Sequence, residues 1–223
     1  MRIETPGNIS ASFFMRGETV ITDSRLPHVM PSQVHGRNIL VADAETVPEI
    51  SLPLRPEADG VLLTVPDVQA SLRFADCAPV MIWGIRPAWV MLLHSGCKGT
   101  VLNISREGLR IAREIFGADS VSEAHAWVGP CIGREYFRKA GDEWTVKAVE
   151  AFHRENFSAD GERVYFDLAG EIRSQLLDAG LSGGNVAVSG INTLADSRCY
   201  SYRGGDIHER MTLLVSMKKG STC

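Results

Sequence analysis

Short apolar runs, each bounded by Asp, Pro or Gly, dominate the first half of the chain. Residues 38–42 (NILVA), 60–64 (GVLLT) and 69–74 (QASLRF) predict three strands. Residues 80–85 and 89–93 are almost continuously apolar and meet at Arg86-Pro87, which predicts two buried strands joined as a hairpin. The period then changes. Val101, Ile104, Leu109, Ala112, Ile115 and Phe116 recur near helical spacing and Gly117 stops the run, so one helix is expected over 100–116. A strand over 124–128 should follow, then helices over 143–157 and 168–179, the second closed by Gly180. Residues 186–189 and 211–217 read as late strands, with Met211, Leu213, Val215 and Met217 alternating onto one face. No linker rich in Pro, Gly or Ser and no repeat interrupts this order, which predicts a single compact domain over 1–223. Its expected class is α+β.

Composition narrows the function. The 223 residues are 44% hydrophobic and 22% charged, ample for a packed core and far from disordered chains. With 23 basic and 27 acidic residues the net charge is −4, which argues against nucleic-acid or membrane-surface partners but leaves room for a local basic pocket. Glu4, Asn8 and Ser12 break any leader-like block in residues 1–15, and Arg86, Pro79 and Pro87 break the most apolar region, 78–93. The expectation is a cytoplasmic protein, monomer or homodimer, acting on a small molecule. Five cysteines, an odd number with no Cys-x-x-Cys pair, fit reduced thiols better than disulfides.

The chemistry-bearing residues gather at predicted strand ends, in Ala75-Asp76-Cys77-Ala78-Pro79 and in His94-Ser95-Gly96-Cys97-Lys98-Gly99-Thr100. In the second stretch the glycines allow close backbone approach, Lys98 adds charge, and a helix follows, a combination suited to phosphate. Packing alone also produces Gly-rich turns before helices. His35, in Gln33-Val34-His35-Gly36, joins Cys77 and His94 as two imidazoles and a thiolate, the donor set of an open zinc site, although their spacing does not force them together. Cys77 with His94 as base is equally a thiol nucleophile pair. Cys199-Tyr200-Ser201-Tyr202-Arg203-Gly204-Gly205 sets rings beside a guanidinium, either a grip on a base and an anion or an aromatic strand edge with a solvated arginine. Asp59 and Asp76 read as turn formers or acids, and His125 is a further acid candidate. His153, His208, Cys131 and Cys223 read as structural or surface residues.

Taken in order, Gln33-Val34-His35-Gly36, Ala58-Asp59-Gly60, Ala75-Asp76-Cys77-Ala78-Pro79-Val80, His94-Ser95-Gly96 through Gly99-Thr100, Gly129-Pro130-Cys131-Ile132-Gly133 and Ser201-Tyr202-Arg203 resemble the laccase-domain or polyphenol-oxidase-like (YfiH-like) family. The resemblance covers most of the chain, from about His35 to Arg210. It implies mixed β-sheets layered between helices. It also implies zinc on His35, Cys77 and His94, and phosphorolysis of adenosine, inosine, guanosine and methylthioadenosine, with adenosine deamination besides. Within it, Cys77, His94 and Asp76 are the catalytic candidates, and Lys98, Arg203, Gly96 and Tyr202 the substrate-binding ones. The chain departs from the family where Cys97-Lys98 replaces a usual Trp-Arg, since a lysine cannot repeat a bidentate guanidinium grip. Rival readings are a metal-free cysteine amidase on a cell-wall precursor, a copper polyphenol oxidase, and a binder without turnover. Copper is disfavoured because one three-ligand site lacks the several coppers a laccase needs.

Overall fold

Two β-sheets pack face to face and helices cover the far side of one of them, in a computed structural model that describes residues 1–219. The first sheet contains β1 (Arg2–Ile3), β2 (Ile9–Phe14), β3 (His28–Val29), β6 (Val68–Phe74) and β14 (Met211–Met217), in the order β1-β2-β14-β6-β3. The second contains β4 (Ile39–Ala42), β5 (Gly60–Leu63), β7 (Ala78–Ile85), β8 (Ala88–Ser95), β9 (His125–Val128) and β13 (Val186–Val188), in the order β13-β9-β7-β8-β5-β4. Pairings β3–β6, β4–β5 and β13–β9 are parallel and the others antiparallel, so both sheets are mixed. A small third sheet joins β10 (Arg138–Lys139), β12 (Arg163–Phe166) and β11 (Phe157–Asp160). The helices are α1 (Val47–Ile50), α2 (Cys97–Val101), α3 (Ile104–Phe116), α4 (Ala118–Ser122), α5 (Glu143–Ala151) and α6 (Leu168–Asp178).

Burial explains the sequence pattern. Strand β14 alternates because only one face, Met211, Leu213, Val215 and Met217, enters the core between the sheets, where it meets Phe13, Leu72 and Phe74. Strands β7 and β8 are buried on both faces and therefore read as continuous apolar runs. Met81, Val90 and Leu92 face the other sheet, while Val80, Ile82, Met91 and Leu93 face Ile104, Leu109 and Ala112 of α3 and Ile172 and Leu176 of α6. The predicted hairpin is present, with Ile85 opposite Ala88.

Two expected helices are shorter. The run over 100–116 is two helices, because Asn103 adopts a left-handed conformation (φ 53°) and its side chain accepts from the Arg106 N–H at 3.0 Å, starting α3 anew. The run over 143–157 stops at Phe152, whose backbone is extended. A single 3-10 turn, Arg154–Asn156, then leads into β11, which turns back through Gly161 (φ 58°) to β12. Strands β1, β2, β3, β10, β11 and β12 were not expected. No described helix is long and apolar enough to cross a membrane.

One connection sets up the site. Strand β6 belongs to the first sheet and β7 to the second, so Ala75-Asp76-Cys77 crosses the seam between them, with Asp76 at φ 77°.

Candidate metal centre

Three loops converge on that seam. His35 comes from the segment between β3 and β4, Cys77 from the crossover, and His94 from the end of β8. Their ligand atoms all lie within 4.8 Å of one another, and the two imidazole rings stand nearly edge to face at 4.9 Å. The sequence trio is thus a spatial one, and among the described residues no other three His, Cys or acidic side chains come together this way.

Asp59, just before β5, organises the trio. It is fully buried, and its carboxylate accepts from the backbone N–H groups of Val34 (3.2 Å), His35 (3.0 Å) and Gly36 (2.6 Å) and lies 2.8 Å from His94 Nδ1. An ionised carboxylate only accepts, so His94 donates from Nδ1, which leaves Nε2 as the ring's ligand atom. The same grip holds His35 in its left-handed conformation, φ 59°. Burial opposes the ionised form of Asp59, but its bonds to His94 and Gly36 outweigh it and hold the carboxyl below its usual value.

Electrostatics single out one thiol. Burial would raise the Cys77 value, yet the neighbouring His94 and His35 rings pull it below normal, while Cys77 and Asp59 raise His94 against its own burial. The other thiols go the opposite way: burial raises Cys97, and it pushes Cys131 up to about 12 and Cys199 to about 11. A thiolate between two imidazoles with an oriented partner is a donor set that fits zinc. It is also how a cysteine hydrolase holds its nucleophile.

The glycines here serve packing. A Cβ on Gly96 would stand 2.6 Å from Cys77 Sγ, and one on Gly99 3.2 Å from the His94 carbonyl oxygen. Helix α2, expected to aim N–H groups at an anion, is only five residues long. Asp76 holds the rim together: one carboxylate oxygen accepts from the Thr193 hydroxyl at 2.7 Å and the other from the Arg203 N–H at 2.8 Å.

Two lobes of open space flank the centre. The larger, about 640 Å³, is lined by Gln33, Tyr202 and four arginines, Arg55, Arg73, Arg203 and Arg210. The smaller, about 440 Å³, is walled by Cys97, Lys98, Ile132, Phe137, Lys139 and Leu168. Lys98 rests over the Trp144 ring at 5.2 Å, so α5 supplies an indole beside α2. His125 lies elsewhere, stacked on Trp83 at 5.6 Å, which removes it from the acid candidates. His153 and His208 are likewise outside the centre, Cys131 is buried, and Cys223 lies outside the described residues. Sequence reasoning missed Asp59's orienting role, the Arg55, Arg73 and Arg210 wall, and Phe137.

The family model described as multi-copper polyphenol oxidoreductase laccase matches residues 15–218. The chain belongs to this family. Among curated relatives of this laccase-family chain, a Deinococcus radiodurans protein named purine nucleoside phosphorylase is 33% identical over 185 residues, covering 77% of this chain and 62% of its own length. Purine nucleoside phosphorylase YlmD of Bacillus subtilis is 31% identical, covering 72% and 59%. A third, named adenosine deaminase RL5, from an unknown prokaryotic organism, is 27% identical, covering 72% and 63%. The chain therefore spans about three fifths of the length of these relatives. The fold matches a hypothetical protein, YfiH, from Bacillus licheniformis with a TM-score of 0.81 at 19% identity, over 94% of this chain and 93% of that one.

Proposed function

We propose that this chain is a zinc-dependent purine nucleoside phosphorylase with an accompanying adenosine deaminase activity. The observation that carries the reading is the convergence of His35, Cys77 and His94, braced by Asp59, at the junction of a basic and a more apolar lobe. The names of the relatives point the same way. The three side chains would hold zinc, which supplies Lewis-acid polarisation to a group placed in the cavity.

The chain's own residues account for the rest of phosphorolysis. A phosphate oxygen forms a bond to the ribose anomeric carbon as the bond to the purine nitrogen breaks, and the electron pair and a proton end on the base. Ile132, Phe137 and Leu168 offer an apolar wall for the purine, and Tyr202 an exposed ring at the mouth. Arg203, its backbone fixed by Asp76, and Lys98 supply positive charge toward phosphate or ribose, while Gly96 leaves room for the Cys77 thiol. The free thiols of the described cysteines suit the reducing cytoplasm.

The deciding experiment is incubation of metal-quantified protein with adenosine, with and without phosphate, and separation of the products. Adenine formed only with phosphate is the expected result, accompanied by inosine. Neither product, from protein carrying one zinc per chain, sinks the proposal. In the wild-type background His35→Ala should abolish both reactions and the bound zinc together.

A second reading draws on the Cys77–His94–Asp59 line, which is also the order of a cysteine amidase. Selective alkylation of Cys77, with activity indifferent to chelators, would favour it.

A further inference from the structure

Of the basic residues around the centre, Lys98 lines only the smaller lobe, and the charge of the larger lobe comes from arginines. Arg55, Arg73 and Arg210 reach it from three separate segments: the stretch before β5, strand β6, and the residue preceding β14. Among the described residues Asp76 is the only acid on the same wall, and both its carboxylate oxygens are engaged.

Each guanidinium is positioned by backbone, not by a carboxylate. Arg55 Nε donates to the Met30 carbonyl at 3.3 Å, and Arg73 Nη2 reaches the His208 carbonyl at 3.5 Å. Arg210 Nη1 sits among the carbonyls of Asp206, Ile207 and Glu209 at 3.3, 3.0 and 2.7 Å. Among the described residues none of the three has a carboxylate within 4.0 Å, whereas Arg16, Arg25, Arg110 and Arg198 each do. The Gln33 side chain clamps the Arg73 backbone, accepting from its N–H at 2.8 Å and donating to its carbonyl at 2.9 Å. That clamp ties the guanidinium's strand to the loop carrying His35.

Such a cluster is self-repelling. Burial and the nearby Arg210 and Arg55 hold Arg73 below its usual value. The chain as a whole is acidic, at −4, so the three arginines are a local concentration of positive charge inside a concave lobe. Three planar guanidinium groups lining one lobe, none tied to a carboxylate among the described residues, suit the oxygens of a compact tetrahedral dianion.

We propose that Arg55, Arg73 and Arg210 form the inorganic-phosphate subsite, so that phosphate enters through the larger lobe and Lys98 and Arg203 are left to the ribose. The assignment rests on the phosphorolysis reading for its purpose but not for its test. Calorimetric titration of inorganic phosphate into the purified, metal-containing protein reads the subsite without turnover. Arg55→Gln, Arg73→Gln and Arg210→Gln should each weaken phosphate binding roughly 10-fold or more, as loss of a charge-assisted hydrogen bond does. Arg106→Gln, a distant charge control, should leave it within twofold. Because the three arginines stand on different segments, misfolding of one variant leaves two.

In steady state, the phosphate KM should rise in the three variants while the adenosine KM stays put. No measurable phosphate binding, unchanged affinity in all three variants, or loss in Lys98→Gln instead overturns the subsite. Phosphate binding that depends on the three arginines without any phosphorolysis would uphold the subsite and sink the functional reading. Phosphorolysis with an unaltered phosphate KM in the variants would do the reverse.

Discussion

Asp59 is the residue on which the centre turns. Its one carboxylate satisfies three backbone N–H groups and orients His94, so its loss both loosens the His35 loop and frees the imidazole tautomer. Asp59→Asn should weaken zinc binding about 10–100-fold, read by competition with a chromogenic chelator. Retention of wild-type affinity would show that the carboxylate only braces the loop. Gly96→Ala tests the same site by crowding: a Cβ 2.6 Å from Cys77 Sγ must displace the thiol, so metal content should fall while the circular-dichroism spectrum holds. Asp59 was visible in the sequence as one of two aspartates that turns and acids explain equally well. Its role was not, because it depends on contacts to residues 34–36 and 94 that only folding creates.

At the scale of elements, the break between α2 and α3 matters most, because α2 follows directly from β8, the strand that ends with His94 and Ser95. Asn103 both caps α3 and occupies a left-handed backbone position (φ 53°). Asn103→Ala should cost about 1–2 kcal/mol, through the lost cap and the strained backbone, and Asn103→Gly distinctly less. The check is the urea midpoint at unchanged slope, and equal losses in the two variants would dismiss the conformational part. The helical period over 100–116 was legible because α3 buries Ile104, Leu109 and Ala112 along one stripe, but a periodic pattern does not register a single residue of opposite handedness. Strand β2 shows the converse: Ile9, Ala11 and Phe13 alternate inward as plainly as β14 does, although the polar residues Glu4, Asn8 and Ser12 interrupt the apolar pattern around them.

For the whole molecule, stability depends on the sheet–sheet seam and on a polar bridge behind the helices. Phe13 is fully buried, 5.8 Å from the Trp127 ring and 6.2 Å from Phe74. Phe13→Ala should cost about 3–5 kcal/mol, seen as a lower denaturation midpoint. His153 lies 3.2 Å from buried Glu171 and 3.0 Å from Asp178, and although burial lowers its value, these partners raise it above 6.5 overall. A raised histidine contributes stability that is fully present below its unfolded value, near 6.5, and is lost as pH climbs through the folded one. The melting-temperature gap between wild type and His153→Gln should therefore be wider at pH 6 than at pH 9, and a gap independent of pH would exclude the charged bridge. Hydrophobic period, turn residues and the ordered motifs determined the mixed α+β class, the hairpin, the helix faces and the identity of the three ligand-type residues, since these are local in the chain. Only the tertiary structure decided that β6 and β7 lie in different sheets, that their crossover sets Cys77 between two histidines, and that three distant arginines share one wall, because each is a contact between segments whose spacing in sequence carries no information about their distance in space.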